Sequence, residues 1–287
     1  MTSTPPPTSD DVPHEPFVTE NFRTRTITAL ILAPLVLIGI YVQGILWLMI
    51  MLVAGVLGLL EFYTVTSQPP RTGSSAIGLV GLVTMILGAY FQQPLAIIGV
   101  LVAVAVLSFL FALTHTPKFA VHIMLLTLGG VIYVGLAGAF LVNISHFGKA
   151  FVWLLLICIS TWGADTAAYF GGRLWGKRKL APKLSPKKTV EGAVTGIVGS
   201  IVCGTFILWA GGIFTIPAFI MVIIMPFMAI LGDLFESALK RHFKVKDSHI
   251  NGVNLIPGHG GVLDRIDSLI FVTLFCTAWM ALFNLVG

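Results

Sequence analysis

Nine apolar runs follow one another along this chain, most of them long enough to cross a bilayer, and this leaves few possible folds. In hydrocarbon every backbone N–H and C=O must be satisfied within the protein, so only helices and closed barrels can span. The runs are continuous, without the alternation of a barrel strand, which selects helices. Hydrophobic residues make up 56% of 287, and the mean hydropathy is +0.96, far above that of a soluble domain. The expected fold is therefore an all-α polytopic membrane protein.

The runs lie near 26–42, 45–63, 76–90, 95–113, 123–142, 151–170, 193–214, 216–239 and 268–286. The first and third are short for a hydrocarbon layer of about 30 Å, so a re-entrant segment and a count of eight stay open. Residues 1–22, rich in proline, threonine and acids, are expected to form a disordered tail. The tail lacks the basic start and adjoining apolar core of a cleavable signal, so the first run is retained as a span. Residues 23–287 are expected to form a single membrane domain, with a catalytic half at about 150–287. With the N-terminus in the cytoplasm, 16 of the 17 basic residues fall on the cytoplasmic side and only Lys149 lies outside. Nine spans then place the C-terminus outside.

Several function classes drop out. Cys158, Cys203 and Cys276 sit singly inside apolar runs and suggest neither a disulfide framework nor a zinc site. The net charge is +5, and the basic residues concentrate in two loops beside spans, a pattern suited to phosphate or lipid headgroups rather than to nucleic acid. A P-loop is excluded because no GxxxxGK[ST] occurs.

Ionisable residues inside spans are costly and mark function by default. Asp165, in STWGADTAAYF, and Asp233, in ILGDLFESALK, each lie close to the end of a span that runs inward. At a rise of ~1.5 Å per residue both sit roughly 10 Å from the basic loop that follows, at similar depth. The last span opens with Asp264-Arg265-Ile266-Asp267, which puts two carboxylates on one helical face. Glu191 opens the seventh span on the same side. Taken singly, these acids have plainer roles. Asp264 or Glu191 can be a helix N-terminal acid, and Asp165 or Asp233 can make an interhelical hydrogen bond. Five carboxylates converging beside a dozen cations suit hard divalent metals and the phosphates they bridge.

Two loops complete the picture. Between spans six and seven, GGRLWGKRKLAPKLSPKKTVEG carries seven cations. Positive-inside anchoring is its plain reading. However, Ser185-Pro186-Lys187-Lys188-Thr189 leads straight into a helix start, where free N–H groups and lysines suit phosphate. Between spans eight and nine, the glycines of Pro257-Gly258-His259-Gly260-Gly261 permit a backbone that closely approaches a ligand. His259 is placed there to touch a phosphate or metal-bound water.

At these residues the chain resembles the phosphatidate cytidylyltransferases (CDP-diacylglycerol synthases). The segments that carry the resemblance are Ser237-Ala-Leu-Lys240-Arg241, then Lys246-Asp247, then Pro257 through Asp267, with Asp165 of DTAAYFGGR and SPKKTVEG upstream. It covers roughly 150–287 specifically and the earlier spans in hydropathy alone. One departure is that the stretch SHINGVNLIPG between Asp247 and His259 is longer than the family pattern, and HINGVN is read as a surface bulge.

The resemblance implies condensation of CTP with phosphatidic acid to CDP-diacylglycerol and pyrophosphate. It also implies Mg2+ or another divalent cation in a two-metal site. Asp233, Asp264 and Asp267, supported by Asp165, are the expected ligands, and Asp233, Asp264, Asp267 and His259 the expected catalytic set. Lys187, Lys188, Lys240, Arg241 and Arg265 are expected to hold phosphates. Ser185, Thr189, Glu191, Lys246, Asp247, Gly260 and Gly261 complete the expected substrate site.

The implied partners are CTP, phosphatidic acid and membrane lipids, with a homo-oligomer left open. The implied location is a bacterial inner membrane with the site facing the cytoplasm. A CTP-dependent lipid or polyprenol kinase is the main rival. A cation transporter would use buried aspartates without needing the cations beside them, and the spaced DG and AR motif of a CDP-alcohol phosphatidyltransferase is absent.

Overall fold

The computed structural model describes residues 20–66, 72–245 and 261–285. The described residues form ten α-helices: α1 (Glu20–Val42), α2 (Gly44–Thr66), α3 (Thr72–Tyr90), α4 (Pro94–His115), α5 (Ala120–Gly130), α6 (Leu136–Ile144), α7 (Ala150–Trp175), α8 (Val190–Ala210), α9 (Ile216–His242) and α10 (Leu263–Leu282). Among the described residues eight segments are long and apolar enough to cross a membrane, with α5 and α6 counted together as Pro117–Ile144. The described apolar part of α1, Leu30–Val42, is shorter. The third run qualifies as Gly73–Tyr90, so of the two short runs only the first remains short. The protein is a helical, multi-pass integral membrane protein.

Local chemistry places the helix ends. Gln43 and Gly44 take φ of 56° and 54°, reversing the chain tightly between α1 and α2. The Thr189 hydroxyl accepts from Gly192 N at 3.1 Å and so caps α8. Thr215 accepts from Ala218 N at 3.3 Å and, with Pro217 in the first turn, starts α9. Between α5 and α6 the span loosens into a π turn, Val131–Gly135, which rotates Tyr133 inward against Phe62, Phe235 and Phe271.

Lipid tails are as apolar as leucine, so helices in a membrane associate through close packing and satisfied polar groups. Helices α7 and α8 meet along a seam of small residues. A Cβ on Gly196 would lie 3.0 Å from Ala164 O, and one on Gly199 would lie 3.2 Å from Gly163 O. Elsewhere, polar tips reach backbone carbonyls: Trp47 Nε1 donates to Leu141 O at 3.0 Å and Tyr63 Oη to Thr127 O at 2.8 Å. Helix α10 runs through the middle of the bundle, in contact with α2, α6, α7 and α9. At its crossing with α9, a Cβ on Gly232 would come within 2.6 Å of Asp267 O. Only glycine lets the two backbones approach this closely, which sets Asp233 beside the start of α10.

Sequence reading gave the loop between α7 and α8 no regular structure beyond a turn. It contains an antiparallel hairpin, β1 (Lys179–Ala181) and β2 (Ser185–Thr189), pairing Lys179 with Thr189 and Ala181 with Ser185.

Replacing Gly199 with leucine forces α7 and α8 apart and should cost about 1–3 kcal/mol. Thermal unfolding in detergent should show a clear drop for this variant and none for Val198→Leu on the lipid-exposed face.

Candidate active site

The second half of α7, the hairpin, the start of α8 and the second half of α9 enclose a cavity of ≈ 550 Å³. One part of its wall is polar: Asp165, Arg173, Lys187, Lys188, Thr189, Asp233 and Ser268. The rest is apolar, with Ala164, Ala168, Leu180, Ala193, Ile197, Pro226, Ala229 and Ile230. The N-terminal end of α8 opens into it through Thr189, Gly192 and Ala193, bringing the positive end of the helix dipole to the cavity.

Two lysines pair with acids gathered here. Lys188, on β2, pairs with Asp233 Oδ2 and is also drawn electrostatically to Asp267, Asp165 and Glu236. Burial pushes its ammonium below the usual lysine range, against the pull of those carboxylates. Lys240 reaches Glu236 Oε2 at 2.9 Å, one turn back on α9, and Asp264 Oδ1 at 2.6 Å on α10. Glu236 and Asp267 are 3% and 7% exposed, so these charges depend on their partners rather than on water. Asp267 Oδ1 also accepts from Ser268 N at 2.7 Å.

The expected acids therefore come together. Asp165 and Asp233 share the cavity wall, Asp267 acts electrostatically on Asp165, and Asp264 joins Glu236 through Lys240. Arg265 is exposed and within electrostatic reach of Asp165. Lys187 lines the cavity and Ser185 begins β2.

Other expected residues are engaged in building the site. Glu191 accepts from Lys177 N at 3.0 Å, Arg178 N at 3.1 Å and Arg178 Nε at 3.2 Å, anchoring the loop to the start of α8. Arg241 Nε points to Leu184 O at 3.5 Å and links the hairpin tip to α9. Gly261 N donates to Asp264 Oδ2 at 3.2 Å. Lys246, Asp247, His259 and Gly260 lie outside the described residues.

Four residues were passed over in the sequence. Glu61, in α2, accepts from Val262 N at 2.9 Å and Leu263 N at 2.7 Å and holds the start of α10. It is an acid inside a span, the same signal that singled out Asp165 and Asp233. Glu236 follows Asp233 by three residues and precedes Lys240 by four, a helical spacing readable in GDLFESALK. Arg173 lines the cavity and donates to Tyr169 Oη at 3.2 Å. Tyr133 could not be found from the sequence, because the π turn that aims it is invisible there.

An all-oxygen set of carboxylates matches the chemistry of a hard divalent cation, so the donors fit the expected metal in kind. Among the described residues, however, no three Asp, Glu, His or Cys side chains close around one point. One oxygen of Asp233 is held by Lys188, and one oxygen of Asp264 is held by Lys240.

Residues 23–283 match the model of the Cytidylyltransferase family. The chain is 41% identical over 157 residues to the phosphatidate cytidylyltransferase of Bacillus subtilis, an alignment covering 53% of this chain and 56% of that protein. It is 32% identical over 264 residues to the phosphatidate cytidylyltransferase of Thermotoga maritima, covering 88% of this chain and 94% of that one. Against the Staphylococcus aureus protein of the same name it is 32% identical over 258 residues, covering 87% and 95%. The likeness thus extends well beyond the half-chain in which the motifs were legible, and the protein belongs to the cytidylyltransferase family.

Proposed function

We propose that this chain transfers the cytidylyl group of CTP to phosphatidic acid, releasing pyrophosphate and leaving CDP-diacylglycerol in the membrane. The observation that carries this reading is one cavity with two kinds of wall, cationic and carboxylate-bearing on one side, apolar and set among spans on the other. A nucleotide triphosphate needs the first and a diacyl lipid the second. The curated relatives named above act on the same lipid class by name.

In the reaction an oxygen of the lipid phosphate forms a bond to the α-phosphorus of CTP, and the bond from that phosphorus to the β-phosphate bridging oxygen breaks. The lipid phosphate is already ionised at neutral pH, so the protein needs no strong base. Its task is to hold two polyanions in line and match the charge that develops on the leaving pyrophosphate. Lys187, Lys188, Arg173 and the start of α8 supply that match around the cavity, with Arg265 nearby. Thr189 and Glu191 keep the hairpin and helix in register. Asp233 and Asp267, with Asp165 and Asp264, would hold Mg2+, which when bound neutralises phosphate charge. Lys188 pairs with Asp233 and Lys240 with Asp264. The apolar wall, with Ile197, Pro226 and Ile230, faces the acyl chains. The concentration of cations around this end of the bundle supports a cytoplasmic orientation, and bacterial relatives support a bacterial inner membrane.

Purified protein given radiolabelled CTP, phosphatidic acid and Mg2+ should yield a labelled lipid and pyrophosphate, and chelator should abolish both. Labelled CDP in the aqueous phase with no labelled lipid would overturn the reading in favour of a kinase. Asp233→Asn and Asp267→Asn keep side-chain volume and remove charge. Each should lower kcat on the order of 10²-fold or more while the protein still elutes as a single species. Near wild-type turnover in either would remove that residue from the mechanism. Lys188→Met should lose a similar factor, whereas Lys188→Arg, which keeps the charge, should recover part of it in the same assay.

A further inference from the structure

Helix α10 carries Asp264 and Asp267 in its first two turns, yet the residue at its N-cap is Val262, which has no side-chain acceptor to offer. The exposed N–H groups at this end are met from another part of the chain. Glu61, 201 residues away in sequence from Val262 and 1% exposed, extends from α2 and takes Val262 N on one carboxylate oxygen and Leu263 N on the other. One turn earlier on α2, a Cβ on Gly58 would lie 3.2 Å from Ile266 Cδ1, so α2 and α10 are seated against each other here. The two capped amides are those immediately before Asp264. Gly261 N is in turn held by Asp264 Oδ2 at 3.2 Å, so the helix start is tied from both sides.

A carboxylate is the group this position calls for. It offers two acceptors to two neighbouring N–H groups, and its charge lies at the positive end of the α10 dipole. Glutamine in its place would present one oxygen and one donor, leaving one of the two amides facing an N–H2 group. The consequence falls on placement, because Asp267 meets Gly232 of α9 backbone to backbone while Asp264 must reach Lys240 across the same crossing. A small rotation of the first turn of α10 would change both separations.

We infer that Glu61 is a positioning residue for the transfer reaction: from the first half of the chain it fixes the register of the acidic turn of α10 against α9. The inference rests on the cytidylyltransferase reading of the site, and its test has an arm that does not depend on turnover. Amide hydrogen exchange of the 261–268 peptide is compared in wild type, Glu61→Gln and Val262→Pro. The second variant deletes one of the two donors while leaving Glu61 in place, at a backbone φ of −62° that proline adopts without strain. Steady-state kinetics with CTP and phosphatidic acid are measured on the same preparations.

The expected result for Glu61→Gln is exchange at the start of α10 roughly tenfold faster or more, with α10 beyond residue 270 unchanged. The kcat should fall on the order of 10–100-fold, and KM for CTP should stay within about threefold. Val262→Pro should lower kcat in the same direction by a smaller factor. Unchanged exchange at the helix start in Glu61→Gln would overturn the inference, as would faster exchange with unchanged kcat. Uniform loss of protection along all of α10 would also overturn it, making Glu61 a general stabiliser. If Glu61→Gln does not fold, Val262→Pro decides by the same two measurements. A wild-type protein that makes no labelled lipid would count against the enzymatic reading alone, since the exchange arm still reports whether Glu61 holds the helix.

Discussion

Carboxylates withdrawn from water must be met by cations or by hydrogen-bond donors, and in this protein that requirement organises the end of the bundle where α9, α10 and the hairpin meet. Asp233 is matched by Lys188, and Glu236 together with Asp264 by Lys240. The Lys188–Asp233 and Lys240–Asp264 pairs each join two different elements, so the electrostatic demand also fixes geometry. Lys188 ties the hairpin to α9, and Lys240 ties α9 to α10. Removing one partner of such a pair leaves an uncompensated buried charge, which costs far more than the intact pair contributes to stability. Lysines held among acids also place positive charge where a polyanion can meet it.

The packing that holds these charges in place follows from the membrane setting. Greasy side chains gain little from leaving lipid, so the helices nearest the site come together through small residues instead. Gly196 and Gly199 bring α8 onto α7, and Gly232 brings α9 onto α10 at Asp267. A bulkier residue at any of these points would widen the cavity or separate the carboxylates. The apolar cavity residues Ala193, Pro226 and Ile230 are each followed in the chain by an exposed apolar side chain, Val194, Phe227 and Leu231. Water-soluble and lipid-soluble reactants can thus approach the same point from different sides.

The first half of the chain also takes part in the site. Glu61 from α2 holds the helix start that presents Asp264 and Asp267. The π turn between α5 and α6 places Tyr133 against Phe235 and Phe271, side chains adjacent to Glu236 and one turn beyond Asp267. Its hydroxyl is buried and has no hydrogen-bond partner among the described residues. The family match, over residues 23–283, includes these first-half elements as well as the second half.

Hydropathy alone determined that the chain is a bundle of membrane-crossing helices, because the length of each apolar run and the need to satisfy backbone groups in hydrocarbon allow nothing else. The acids of DRID and ILGD, and the lysines of SPKK, could be selected from sequence because charge inside or beside a span is costly and therefore informative. What each charge does was decided by tertiary structure. Glu191 and Arg241 read as substrate contacts, and only the fold shows that they also bind the loop to its neighbours. Glu236 and Glu61, equally visible as letters, gained meaning only once Lys240 and the start of α10 were brought to them. Partners of a charge are set by which helices cross and how closely, and those crossings depend on glycines and on one π turn whose effects are long-range, whereas hydropathy is a local property of each segment.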